Sequence, residues 1–258
     1  MAKSIKLANS RGYLDSLFQI YPVEVQPVRG ISNEMIEAII SAYKKQDQKR
    51  LLELFLNLPR FPFDDPYIAT LRHHRFLLQK NPQTVNRIAS RLLSSPLDSL
   101  IKLATQPKSP SRQLGNSFRK WLQTLGYPFK DEMDFLASDE VAFLKASEKK
   151  TKDFIKVYLG VSLTKGVDFV MKIRGQFYLG EAKFITDYGG SQVNQFNYAL
   201  EVASIKESNA RGIAVIDGIV WFKSNMYMHR KIKTFEGIVL SALLLKDFIE
   251  KCKSSSIF

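Results

Sequence analysis

Asp168, Glu181 and Lys183 are the residues of this chain whose types and spacing could do chemistry together. Residues 166–173 and 176–185 are rich in β-branched and aromatic side chains and meet at Arg174-Gly175, which predicts two strands joined by a tight turn. With that turn as the tip, opposed residues have numbers summing to 349, and Asp168 falls directly opposite Glu181. Opposed side chains have β-carbons about 4.5–5.5 Å apart, where like charges are destabilising. Two carboxylates that close need a shared proton or a cation between them. Lys183 follows Glu181 by two and projects from the same face, while Ala182 points away but keeps its carbonyl nearby. Oxygen ligands with room for water suit a hard divalent cation, Mg2+ rather than zinc. The competing reading is a salt bridge at the sheet edge, from Lys183 to Glu181 or Asp168.

The acid-x-lysine spacing alone is weak, because it recurs at Asp47-Gln48-Lys49 and Glu148-Lys149-Lys150. Both of those lie in charged helical stretches, where a solvated face explains them. Only Glu181-Ala182-Lys183 sits on an otherwise apolar strand with an acid across the hairpin.

The elements that position this trio follow from periodicity and breakers. From residue 111 the expected order is helix, helix, strand, strand, helix, strand, strand, helix, an α/β core. Its members are helices over 114–125 and 145–159, the hairpin, a helix over about 191–208, strands at 212–216 and 219–223, and a closing helix over 235–251. Residues 1–107 read as a mainly helical region. An apolar stripe over 33–43 has Ser32 placed to cap it, a second over 51–58 stops at Pro59, and two more helices start at Pro82 and Pro96. The Pro- and Ser-rich run 106–111 is the best linker candidate, dividing the chain into 1–107 and 108–258.

Charge bounds the partner. The 258 residues carry 38 Lys and Arg against 25 Asp and Glu, a net +13, with 45% hydrophobic residues. The excess is spread over both parts, with 15 basic against 9 acidic side chains in 1–107 and 23 against 16 in 108–258. A chain basic throughout favours a polyanion, nucleic acid before an anionic membrane, although solubility alone also explains it. The single cysteine, Cys252, excludes a disulfide framework and a cysteine zinc site. No apolar run is long enough to span a bilayer and no secretory signal is evident, so a reducing, cytoplasmic location is expected.

Gly166-Val167-Asp168, twelve residues, then Glu181-Ala182-Lys183 resembles the active-site signature of the PD-(D/E)XK nuclease superfamily, with Val167 at the proline position. The run 177–196 and the segment 112–122 resemble type II restriction endonucleases in particular, the latter their helix before the catalytic hairpin. The likeness covers roughly 111–220. It implies a restriction-endonuclease-like core, a central mixed sheet flanked by helices, and a Mg2+-dependent, sequence-specific endonuclease acting on double-stranded DNA. Asp168, Glu181 and the Ala182 carbonyl would hold the cation, which would polarise the scissile phosphate and acidify a water. Lys183 would orient that water and stabilise charge on the pentavalent phosphate, leaving 5′-phosphate and 3′-hydroxyl ends. An acid on a preceding helix sometimes assists; Asp134, Asp139, Glu140 and Asp153 are all open. The likeness also implies a homodimer on a palindromic site and a cognate DNA methyltransferase in the same cell.

Further candidates for DNA contact have ordinary structural explanations beside them. Gln192 and Gln195 open the helix after Gly189-Gly190, where amides also cap, and Asp187 could reach the site or cap the same helix. Lys223, Asn225, His229, Arg230 and Lys231 interleave with aromatics in 221–231, a mix that suits a DNA-facing loop or an exposed turn. Residues 71–76, with Arg72 and Arg75, form a weaker candidate, and Ile238, Leu240, Leu243, Leu244 and Phe248 read as core or subunit interface. A repair or junction-resolving nuclease on the same core and a non-catalytic DNA-binding protein are the rival functions.

Overall fold

The structure is a computed structural model describing residues 1–22, 30–106 and 114–254. All of the expected linker except Gln106 lies outside the described residues. Two compact units emerge: Met1–Val23 with Pro110–Phe258, and Glu24–Ser109. The expected division at 107/108 therefore needs correcting at its start. Helices α1 (Ala2–Ala8) and α2 (Tyr13–Ile20) join the later unit, because Tyr13, Leu17, Ile20 and Tyr21 are buried in its core.

The unit Glu24–Ser109 contains α3 (Asn33–Lys44), α4 (Gln48–Asn57), α5 (Tyr67–His73), α6 (Leu77–Lys80), α7 (Pro82–Leu93) and α8 (Leu97–Thr105). Local chemistry sets their starts. Ser32 Oγ accepts from Met35 N, Asp47 accepts from Arg50 N, and Pro82 occupies the first turn of α7, where no backbone donor is needed. Ile39, Leu51, Leu52, Phe55, Ile88 and Leu92, none exposed, fill the centre.

The larger unit is built on a six-stranded mixed sheet in the order β1-β2-β3-β4-β5-β6. Its chain runs α9 (Leu114–Gln123), β1 (Phe129–Lys130), α10 (Glu132–Ala137), β2 (Ala142–Leu144), α11 (Glu148–Leu159), β3 (Phe169–Ile173) and β4 (Gln176–Ile185). It continues through α12 (Gly190–Ala203), β5 (Ala210–Gly218), α13 (Tyr227–Thr234), β6 (Ile238–Leu240) and α14 (Leu245–Ser254). This is the α/β arrangement expected. β3 and β4 form an antiparallel hairpin whose tip residues, Arg174 and Gly175, have φ of 49° and 82°. A two-residue turn with both φ positive matches the twist of the flanking strands. β4 and β5 are parallel, so α12 serves as the crossover between them.

Alternation along the strands separates two apolar layers. Phe169, Met171, Ile173 and Tyr178 join the cluster that holds α2, α9 and α14, whereas Val170, Phe177 and Leu179 pack with α11 and with Tyr198 and Val202 of α12. Asp217, near the end of β5, fastens α2 to the sheet. It is fully buried and accepts from Tyr13 (3.4 Å), Tyr21 (2.8 Å), Ser241 Oγ and Ala242 N (3.1 Å).

The C-terminal elements differ from expectation. Residues 219–223 make no strand. Gly218 has φ 94°, with Ile185 O only 2.0 Å from where a β-carbon would stand, and the chain turns there into a short 3-10 segment, Ile219–Trp221. Residues 235–251 are not one helix either, because Val239 and Leu240 are buried as parallel partners of β5 and Ser241 then caps a second 3-10 turn. Helix α12 stops at Ala203, and Lys206 bridges back to Arg211.

Candidate active site

The register of the hairpin carries the site. Phe169 pairs with Gly180, Val170 with Leu179 and Ile173 with Gln176, all summing to 349 as expected. Asp168 stands one step beyond the last pair, where its Oδ2 accepts from Ala182 N at 3.0 Å. Glu181 and Lys183 extend the row of Phe177 and Leu179, so an apolar face turns charged at this end of the sheet. The Lys183 ammonium lies 2.6 Å from Glu181 Oε1, 3.3 Å from Asp168 Oδ2 and 3.0 Å from the Ala182 carbonyl oxygen. All three expected ligand atoms therefore converge on one positive charge. The salt bridge that rivalled the catalytic reading is present, and it is made to both carboxylates at once.

Electrostatics distinguishes this cluster from a surface ion pair. Glu181 has 4% of its side chain exposed, Asp168 14% and Lys183 18%. Burial, with Asp168 next to it, pushes the Glu181 carboxyl up to about 7, although Lys183 pulls it down. Burial alone would lower Lys183, but Asp168 and Glu181 outweigh it and raise the ammonium above its ordinary range. The donor set fits a hard divalent cation, since the ammonium already marks a point within reach of two carboxylates and a carbonyl. Among the described residues no three His, Cys, Asp or Glu side chains cluster as a metal site. Two carboxylates and a carbonyl would leave several coordination positions to water, as Mg2+ prefers.

Packing fixes the hairpin from behind. The Phe169 ring covers Gly180, where a β-carbon would sit 1.9 Å from Phe169 Cζ. Phe169 lies against Phe118 and Phe143, and Tyr21 packs on both Phe118 and Phe184. Phe118 and Leu122 bury one face of α9 and leave the next residue, Arg119, half-exposed beside the hairpin. Its guanidinium donates to Asp168 Oδ1 at 3.0 Å. The sequence does not single out Arg119, because neither the apolar stripe of α9 nor the likeness of 112–122 to the helix before a catalytic hairpin says what its polar side meets. Asp134, Asp139, Glu140 and Asp153 make no hydrogen bond or ion pair to the trio among the described residues. The helix before the hairpin thus brings a cation to Asp168, not an acid.

The other candidates are scattered. Gln192 Oε1 accepts from Thr186 N at 3.4 Å and Asp187 accepts from Gly189 N, so both close the loop before α12, while Gln195 is exposed. Lys223, Asn225 and Arg230 are exposed, and Lys231 is tied to Asn197 and Tyr227. His229 requires a correction as a DNA contact. It is buried in α13 with Nδ1 2.9 Å from the Val220 carbonyl, because α13 turns that side of its helix into the core. Ile238, Leu240, Leu243, Leu244 and Phe248 belong to the core cluster. Arg72 bonds the Leu58 carbonyl and supports the smaller unit.

Among curated proteins and solved structures, none matches the chain. Against protein families the outcome is different. The match reaches far past the hairpin, since residues 1–252 fit the family described as Tsp45I type II restriction enzyme. A fit over nearly the whole chain means that the protein belongs to the Tsp45I family of type II restriction enzymes, site-specific deoxyribonucleases acting on double-stranded DNA.

Proposed function

We propose that the protein cuts duplex DNA at the Asp168–Glu181–Lys183 cluster with Mg2+ held by Asp168, Glu181 and the Ala182 carbonyl. The observation that carries this reading is the convergence of those three groups on the Lys183 ammonium. A divalent cation bound there supplies Lewis-acid polarisation of the scissile phosphate and acidifies water. Lys183 stays protonated at neutral pH, so it brings a fixed charge to the phosphoryl oxygens as negative charge builds on them. With those three acceptors turned to a bound cation, the Lys183 donors would be free to orient the attacking water. Pairing of β4 with β5 holds Glu181 and the Ala182 amide holds Asp168, with Phe169 packed on Gly180 behind them, which keeps the arrangement preorganised. Hydrolysis leaves a 5′-phosphate and a 3′-hydroxyl.

Contacts to DNA are assigned to exposed basic and amide groups: Gln195, Lys223, Asn225 and Arg230 in the larger unit, with Gln192 and Lys231 nearby. In the smaller unit Lys49, Arg50, Asn57, Arg75 and Gln79, with one acid, Glu53, line an open cleft of about 420 Å³ beside the exposed ring of Phe76, three cations against one carboxylate. Cations, amides and one exposed aromatic side chain suit phosphate grip and base contact, which favours DNA recognition over simple support for this unit. A two-fold dimer matches a palindromic site, and a cognate methyltransferase in the same cytoplasm protects the host's own copies.

The test is incubation with phage DNA and Mg2+. Discrete bands that disappear with EDTA are expected; a smear favours a structure-directed nuclease, and uncut DNA refutes the reading. Binding should also weaken steeply with salt as phosphate contacts release counterions.

A further inference from the structure

The charge balance of the cluster singles out Arg119. Two carboxylates, Asp168 and Glu181, are matched by two cations, Lys183 and Arg119, so no negative charge is left over for a metal as the site stands. A divalent cation would add two positive charges to a largely buried site, and unbalanced buried charge is costly. A resident cation has to leave or an anion has to enter. Lys183 is 18% exposed and stands on the three groups that would hold the metal, so it has to shift off them on loading and keeps its charge within the site, whereas Arg119 is 49% exposed and, among the described residues, held at this site only by the other oxygen of Asp168, Oδ1. Arg119 also sits on a rigid base, since Phe118 and Leu122 on either side of it are buried in the core. Its long side chain can therefore swing without moving the helix.

We infer that Arg119 is an exchangeable counter-ion that couples metal loading to DNA binding. It neutralises Asp168 in the free protein, competes there with the metal, and transfers to a DNA phosphate when the site is loaded. The guanidinium suits both partners, because its planar fork bonds carboxylate and phosphate oxygens alike. Free protein then binds metal weakly, and the site fills when DNA offers Arg119 another anion. Arg119 is a positioning residue, acting on the metal through Asp168. The inference rests on the metal reading above, and the experiment separates the two.

Mn2+ is titrated by calorimetry into wild type, Asp168→Asn, Arg119→Gln and Arg119→Lys without DNA, and thermal melting checks that each is folded. Asp168→Asn should lose Mn2+ binding; if it binds like wild type, the metal assignment fails and the inference with it. With that loss established, Arg119→Gln should bind Mn2+ about tenfold more tightly, since one charge-assisted hydrogen bond no longer competes. Its cleavage rate at saturating metal should nonetheless fall, and Arg119→Lys should recover part of it. A mere buttress for Asp168 predicts the opposite sign. Mn2+ affinity in Arg119→Gln equal to or weaker than wild type overturns the inference while leaving the nuclease reading intact.

Discussion

Two buried acids on adjacent strands, Glu181 on β4 and Asp217 on β5, are held in opposite ways. Asp217 is ringed by neutral donors on fixed elements: two tyrosines, a serine and a backbone amide. Glu181 has a lysine and a second carboxylate beside it, and that second carboxylate carries an arginine. Burial raises both, Asp217 to about 6 and Glu181 to about 7, so the pKa direction does not separate them. The partners do. Hydrogen bonds from neutral, immobile groups make a fastener, because no cheap exchange is open to them. Cations on longer side chains leave exchange open, which is what the proposed metal seat requires. A buried acid is therefore better judged by what surrounds it than by its titration alone.

The contrast predicts effects of different kind as well as size. Lys183→Ala should lower cleavage per folded molecule by about a thousandfold or more, the scale of losing one positioned transition-state donor, with DNA binding nearly unchanged in filter-binding assays. Asp217→Ala should do the reverse. Leaving its buried donors unpaired should cost about 3 kcal/mol in urea unfolding, while cleavage per folded molecule stays near wild type. If Asp217→Ala instead kills activity in a fully folded protein, the distinction between fastener and seat collapses.

A smaller effect comes from pH. Asp217 binds its proton more tightly when folded, with a pKa near 6, than when unfolded, where 3.8 is the ordinary value. Its contribution is therefore complete below about 3.8 and is lost as pH rises through 6. The stability gap between wild type and Asp217→Ala should shrink by roughly 2 kcal/mol from pH 4 to pH 7. A gap that widens over that range would show Asp217 to be stabilised as the anion. Smallest in stability is Gly180→Ala, which forces the Phe169 ring aside and should cost about 1 kcal/mol of overpacking. Because Glu181 is the next residue, its cleavage rate should fall out of proportion to that loss.

Legibility in the sequence followed how local each feature is. The hairpin was legible because both strands are long and meet at a two-residue turn, so one sum locates every partner, Asp168 beside Glu181 included. The three short strands were not. Phe129–Lys130, Ala142–Leu144 and Ile238–Leu240 are two or three residues each, below the length at which alternation can be seen, and their partners are remote in sequence. Arg119 was invisible for a related reason, since α9 shows an apolar period but not what its polar side will meet. Nothing local in the sequence marks Asp217, because only the fold brings Tyr13 and Tyr21 to it.

That fastening has a consequence for the order in which the enzyme becomes complete. Tyr13 and Tyr21 lie 204 and 196 residues from Asp217, and Ser4 lies 237 residues from the Ser241 amide it accepts from. A chain made from its N-terminus carries α1 and α2 out of the ribosome long before their partners exist. The hairpin bearing Asp168, Glu181 and Lys183 is finished by residue 185, but the core behind it closes only when residues 217–242 have been added. Tyr21, which packs on Phe184 and Phe118 behind the site, waits for the same event. Closure of the core behind Asp168, Glu181 and Lys183 thus waits for residues 217–242, and a product of synthesis interrupted before them carries those three residues without the frame that aligns them.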